Sequence, residues 1–338
     1  TSKVLTKVKV SGGGRCNVTH HCFEASRLAQ HYPRGEKALK QLFKTFQAQD
    51  VFDWFATRGV SLHAEEDGRM FPVTNSSQTV IDCFLKEAQR LRIRLELSSE
   101  VTAVNASGNT LEVITRNARS FRTKYILAAT GGSANSASYD WLRALGHTVV
   151  PPIASLFTFN DNSKTFSDLM GVAVADAEVR IATTRFSQRG PVLITHWGLS
   201  GPAIIKLSAW AATYLHDNNY TFTVFINWTG SASEDDVRGN LKSFQQQYGK
   251  KNVVANPLYQ IPQRLWQKLC TLSTIEDTLI WAEMPHKKMN RLIEYLIRCS
   301  FAIKGKTTFK EEFVTCGGVS LQEVDLATME SKKVRGLF

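Results

Sequence analysis

Lys7 Val8 Lys9 Val10 Ser11 Gly12 Gly13 Gly14 Arg15 Cys16 Asn17 is the stretch on which the reading of this chain turns. Three glycines stand between a strand-like segment, Lys7 to Val10, and a polar turn, so backbone N–H groups there lack side-chain cover. Such a loop suits an anionic, phosphate-bearing cofactor. Arg15 is placed either to pair with phosphate or to form a surface ion pair, and Asn17 either to hydrogen-bond a ring edge or to cap the next turn. A second glycine turn, Thr130 Gly131 Gly132, closes the apolar run Tyr125 to Ala129. That run predicts a strand buried on both faces, and its carboxyl end is where open α/β sheets bind their ligands.

Between the two turns, Leu39, Leu42, Phe43, Phe46, Phe52 and Phe55 recur near helical spacing and stop at Gly59, which predicts one amphipathic helix or two short ones over 36–58. Glu66 Asp67 Gly68 Arg69 marks a hairpin within 60–72, and Ser76 and Ser77 precede a second periodic helix. Arg69, Phe71 and Pro72 either flank a planar ring or pack within that hairpin. Leu95 Glu96 Leu97, Val101 to Val104 and Leu111 to Thr115 read as strands. Pro151 and Pro152 then introduce short strands at Leu156 to Phe159, Val172 to Thr183, Val192 to Thr195 and Phe222 to Trp228, the texture of a barrel or sandwich. From Ser231 to Cys299 the period is helical, with Ser233 Glu234 Asp235 Asp236 as cap and acidic first turn, and 300–316 is extended again.

The 338 residues are 43% hydrophobic and 10% aromatic, enough for a sizeable core in two or three domains. The formal charge is +11, but 41 basic and 30 acidic residues are interspersed, without the clustered footprint of a nucleic-acid binder. Six scattered cysteines form no Cys-x-x-Cys pair and have no histidine at zinc spacing, so they read as reduced thiols of a cytoplasmic protein without a metal site. No segment has the apolar length of a membrane span. The glycine loop lacks the Lys-Ser or Lys-Thr ending of a P-loop, and no Gly-x-Ser-x-Gly elbow is present, which sets aside phosphoryl transfer and serine hydrolysis. Within Leu193 to Pro202, His196 beside Trp197 is the best acid–base candidate among the eight histidines.

Val10 to Asn17 resembles the Ile-Ser-Gly-Gly-Gly-Arg-Cys-Asn signature of the BaiN-like, aminoacetone-oxidase-like family of NAD(P)/FAD-dependent oxidoreductases. Further landmarks follow in order: Asp67 to Pro72, Ala129 to Gly132, Leu145 Gly146 His147, Thr195 to Pro202, Cys316 to Val319 and Thr328 to Lys332. The resemblance implies an α/β fold: an incomplete FAD/NAD(P)-binding Rossmann-like domain with an inserted β-barrel that itself carries an inserted helical domain. The expected boundaries are 1–150 for the FAD domain, 151–230 and 299–315 for the barrel, 231–298 for the helices, and 316–338 for the return.

FAD is the implied cofactor, NAD(P)H the electron donor, and a small organic molecule or oxygen the acceptor. By the same resemblance Ser11, Gly12, Gly13, Gly14, Arg15, Cys16 and Asn17 run along the flavin and its pyrophosphate, Val101 meets the adenine through its backbone, and Thr130, Gly131 and Gly132 close over the phosphates. Ser133 Ala134 Asn135 departs from the family's longer Ser-Tyr-Pro segment. Family members carry a Gly-x-Gly-x-x-Gly unit ahead of this region and a flavin-binding segment after it, so the sequence reads as a trimmed version of a longer flavoprotein. The alternative is a non-catalytic binding or scaffold protein that touches nucleic acid through its basic surface.

Overall fold

The computed structural model describes residues 2–133, 135–307 and 314–338, which fall into two compact units divided after Pro152. In the first unit, α1 (Thr6–Val10) leads into the glycine turn. The strand expected at Lys7 to Val10 is therefore a helix. Its polar backbone is satisfied locally: Lys9 N–H donates to Leu5 O at 3.0 Å, and Ser77 Oγ donates to Lys9 O at 2.9 Å, leaving no edge for a strand to pair.

After β1 (Thr19–His20) and α2 (Ala25–Gln30), the region 36–58 forms two helices, α3 (Glu36–Leu42) and α4 (Ala48–Ala56). Gly59 ends α4 at φ +76°, with Gly59 N–H donating to Ala56 O and Val60 N–H to Phe55 O, a Schellman closure that needs a left-handed residue there. The hairpin β2 (Leu62–Ala64) and β3 (Arg69–Pro72) pairs antiparallel, with β1 on the other side of β3. The next helix, α5 (Ser77–Arg90), is capped by the Ser76 hydroxyl, which accepts from Gln78 N–H. Cys16, Phe55, Val60, Val80 and Cys83 form the core these elements share.

A meander follows: β4 (Val101–Ser107), β5 (Thr110–Thr115) and β6 (Ser120–Thr123). Two expected strands are not formed. Leu95 and Leu97 lie in an irregular segment and are 52% and 46% exposed. In the Tyr125 to Ala129 run, Ile126 and Ala128 N–H donate to Gly336 and Phe338 carbonyls, one parallel bridge, while Tyr125 and Leu127 are 70% and 79% exposed. A strand buried on both faces needs a ladder on each edge and helices on each side. The described residues supply one short ladder.

The short helix α6 (Asp140–Ala144) packs Leu142 with Leu111, Tyr139, Val334 and Leu337 in a second small core, and β7 (Val149–Ser155) carries Pro151 and Pro152. Those prolines sit inside a strand, tolerated because among the described residues β7 has a single partner.

The second unit is a closed barrel of six antiparallel strands: β8 (Thr158–Asp161), β9 (Ala173–Ile181), β10 (Ser187–Ile194), β11 (Gly198–Ser200), β12 (Thr221–Asn227) and β13 (Cys299–Thr307). The order around it is β10-β11-β8-β13-β12-β9. Val179, Ile181, Leu199, Val224 and Ile226 are fully buried, the inward halves of alternating strands. Between β11 and β12 lie two helices absent from the sequence reading, α7 (Pro202–Trp210) and α8 (Ala212–Asp217). Between β12 and β13 lie α9 (Glu234–Tyr248), α10 (Gln263–Leu272) and α11 (His286–Ile297). Ser233 and Asp236 form a reciprocal capping box on α9, and Pro262 and Pro285 occupy the N-caps of α10 and α11.

The chain ends in the first unit with β14 (Val314–Val319), which pairs with β7. Of the stretch expected to be extended, 308–313 lies outside the described residues, as does Ala134. Among the described residues no helix is long and apolar enough to cross a membrane.

Candidate functional site

The first glycine turn is a tight left-handed hook. Gly12, Gly13 and Gly14 have φ of +56°, +69° and +83°, and Cys16 N–H closes the hook on Ser11 O at 3.0 Å. A side-chain carbon at Gly12 would meet Asn17 N at 2.7 Å and the Phe71 ring at 2.9 Å, whereas at Gly13 or Gly14 it would meet nothing within 4 Å. The hook thus has a packed side at Gly12 and an open side along Gly13 and Gly14, which are exposed with Asn17. Cys16, also at positive φ (+63°), turns inward to the core. The Arg15 and Cys16 amides are used within the hook, so its uncovered backbone is narrower than the sequence suggests.

Arg15 takes the ion-pair alternative. Its Nη1 donates to Glu65 Oε1 at 2.6 Å, and its guanidinium lies 4.0 Å from the centre of the buried Phe71 ring. Glu65 also accepts from Arg69 Nη2 at 3.0 Å, and Asp67 holds Arg69 Nε at 2.7 Å. The β2–β3 hairpin therefore presents a carboxylate shared by two arginines, with Phe71 packed beneath them. Phe71 is fully buried, so its place is in the hairpin's packing.

The second glycine turn lies next to the helix that leads into the first: a side-chain carbon at Gly131 would be 3.5 Å from Lys7 Nζ, and one at Gly132 would be 2.7 Å from Thr315 Oγ1. Lys7, Glu65 and Thr315 were not singled out by sequence reasoning. Lys7 had a visible signal, a cation one helical turn before the glycines; the other two come from distant segments. Thr130 and Gly131 are exposed. Val101 opens β4 opposite Thr115, on a different sheet from the β1–β3–β2 hairpin.

His196 belongs to the barrel unit. Thr195 and Gly198 exchange backbone hydrogen bonds at 2.7 and 3.3 Å, so His196 and Trp197 are the two residues of a tight hairpin tip. Their rings meet edge to face at 4.9 Å, and Trp197 is 61% exposed. Asp161, Lys164 and Ser167 line the small recess beside this tip. The buried thiols offer little chemistry: burial pushes Cys270 up to about 12, far from a thiolate at neutral pH. Among the described residues no group of histidine, cysteine and carboxylate side chains could hold a metal ion.

The family described as HI0933-like protein Rossmann domain matches residues 1–338. The chain is similar to the ribosomal RNA dihydrouridine synthase of Escherichia coli K12, 27% identical over 341 residues, covering 98% of this chain and 81% of that protein. A protein of the same name in Haemophilus influenzae is 24% identical over 350 residues, 99% of this chain and 82% of the relative. The 3-dehydro-bile acid delta(4,6)-reductase of Clostridium scindens is 23% identical over 344 residues, 98% of this chain and 82% of the relative.

Proposed function

The chain belongs to the family of HI0933-like protein Rossmann domains, and from that premise we propose that it is a flavin-dependent oxidoreductase that takes hydride from NAD(P)H and delivers it to a small unsaturated organic acceptor. The observation that carries this reading is the hook at Gly12 to Gly14, open along Gly13 and Gly14, with Lys7 of the helix leading into it reaching the turn at Gly131. A diphosphate fits such a place: exposed glycine backbone lets an anion approach, and two cations stand in the same unit. The similarity to a dihydrouridine synthase and to a delta(4,6)-reductase supports an acceptor that gains hydrogen.

In this reading Ser11 to Asn17 line the cofactor, Thr130 to Gly132 close on its phosphates, Lys7 and Arg15 neutralise them, and Val101 lies along the adenine. When bound, the flavin supplies the two-electron chemistry, and the protein supplies position and field. Arg15 must leave Glu65 to reach a phosphate, so Glu65 acts as its counter-ion until then. His196 is the acid–base candidate that would hold or release a proton at an imidazole nitrogen.

The test is direct. Purified protein should show flavin absorbance bands and consume NADH or NADPH when an acceptor is supplied. A colourless protein that takes up no added FAD, and instead binds nucleic acid in a salt-sensitive way, would establish the scaffold alternative.

A further inference from the structure

We infer that the groove along α3 binds the phosphate chain of a small di- or triphosphate, held by Lys37, Lys40 and Lys44. The groove, about 440 Å³, lies within the first unit and is lined by these lysines with Gln41 and Thr45, and by Ala327 of the returning segment. The inference stands apart from the flavin reading, because neither glycine turn lines this groove.

Charge selects the sign of the ligand. Elsewhere in the unit Arg15, Arg58, Arg69, Arg90 and Arg143 each meet a carboxylate at 3.0 Å or less. Among the described residues Lys37, Lys40 and Lys44 meet none, and no aspartate or glutamate lines the groove. Helical hydrogen bonding runs on past Leu42, with Phe43 N–H donating to Leu39 O and Lys44 N–H to Gln41 O. The three lysines, at i, i+3 and i+7, therefore share one face, where each stands beside a like charge that weakens the helix. Lys40, in the last turn of α3, complements the helix dipole, but Lys37, in the first, opposes it. Cations gathered at a cost to their own helix, with no carboxylate to relieve them, make a face for an anion.

The length of the row selects a short phosphate chain over a strand. Seven residues at about 1.5 Å each span about 10 Å from Lys37 to Lys44. Glu36 adjoins the row at its amino end, and Asp325, which accepts from Ala327 N–H at 2.8 Å, adjoins the opposite wall. These carboxylates confine the positive field to the row, whereas a nucleic-acid strand gains affinity by neutralising many phosphates along a longer track. Three ammonium groups match two or three linked phosphates. A phosphate also offers several acceptor oxygens at one centre, so it can meet an ammonium and a neutral donor together. Gln41 and Thr45, whose side chains have no partner among the described residues, are those neutral donors.

Isothermal titration calorimetry in magnesium-free buffer at physiological ionic strength tests the site, with tripolyphosphate, orthophosphate, citrate and a short oligothymidylate as probes. Tripolyphosphate should bind saturably, at least tenfold tighter than orthophosphate or citrate. Lys37→Gln and Lys40→Gln should each weaken it at least fivefold, while Lys124→Gln, which removes the same charge outside the groove, leaves it unchanged. All three lysines are exposed, so these variants should fold, and their melting temperatures check it. Equal binding of citrate, no saturable binding of tripolyphosphate, or an equal loss in Lys124→Gln overturns the inference. Tighter binding of oligothymidylate through the same lysines also overturns it, by making the face a nucleic-acid track. Displacement of tripolyphosphate by FAD does so too, by giving the lysines to the cofactor. A colourless protein with the expected titrations keeps this site and removes the flavin reading, and a yellow protein without them does the reverse.

Discussion

Arg15 and Glu65, fifty residues apart, meet at 2.6 Å over the face of Phe71. Both side chains are about one-third exposed, so the pair itself contributes only about 0–1 kcal/mol. On the proposed reading its larger consequence is competition, since a cofactor phosphate would have to take Arg15 from a carboxylate. Arg15→Ala should weaken FAD retention about 10- to 100-fold, the value of one charge-assisted hydrogen bond, with little change in melting temperature. Glu65→Gln should strengthen it, because the amide releases the guanidinium. Equilibrium titration of FAD into flavin-stripped protein measures both, and unchanged affinity in Arg15→Ala removes that residue from the cofactor site.

The hook can be tested separately from its ligand. Gly12→Ala places a methyl group against Asn17 N and the Phe71 ring at positive φ, which should cost about 2–4 kcal/mol. Gly13→Ala has the same backbone strain and open space, and should cost about 1 kcal/mol. Urea unfolding of the two variants checks the difference. Equal costs would mean that the hook relaxes away from Phe71.

What was legible in the sequence was local or periodic. Gly59 as a left-handed helix end and Ser233 as an α9 cap depend on residues within one turn of each other, so their spacing alone exposes them. The barrel strands show because alternation survives wherever one face is buried. By the same logic Leu91, Ile93, Leu95 and Leu97 alternate as a strand would, yet all four are 46–56% exposed and, among the described residues, belong to no sheet. Alternation reports the two faces of an extended segment and says nothing of whether a neighbouring edge exists. The helix α7 was missed for the opposite reason: its exposed stripe is Pro202, Lys206 and Trp210, which holds a single charge, so almost no polarity marks the period. In the candidate site, the glycines and Arg15 announce themselves by type. Glu65, and the approach of Lys7 to Gly131, arise from tertiary folding and leave no spacing to read.

His196 stands on an exposed two-residue tip, so replacing it disturbs no core. Should it exchange the proton in turnover, His196→Ala should lower kcat about 10²- to 10⁴-fold and erase one limb of the pH–rate profile. A profile of the same shape and height in the variant would make His196 a turn residue only.

Glu323 ties the returning segment to Thr148, the residue just ahead of β7. Its Oε1 accepts from Lys333 Nζ at 2.7 Å and its Oε2 from Thr148 N–H at 2.8 Å. The Lys333 hydrogen bond, then the Thr148 amide, hold its carboxyl down from the ordinary 4.5 to about 2. A depressed folded-state value means the ionised form favours the native state, so this stabilisation is complete above about 4.5 and is lost as pH falls toward about 2. Glu323→Gln should therefore melt below the wild type at neutral pH, and the gap should close between those two values. Thermal melts of both proteins at pH 7, 5, 4 and 3 follow the gap. A difference that stays constant across that range would show that packing, not ionisation, is what Glu323 provides, because a neutral amide and a protonated carboxyl differ little in shape.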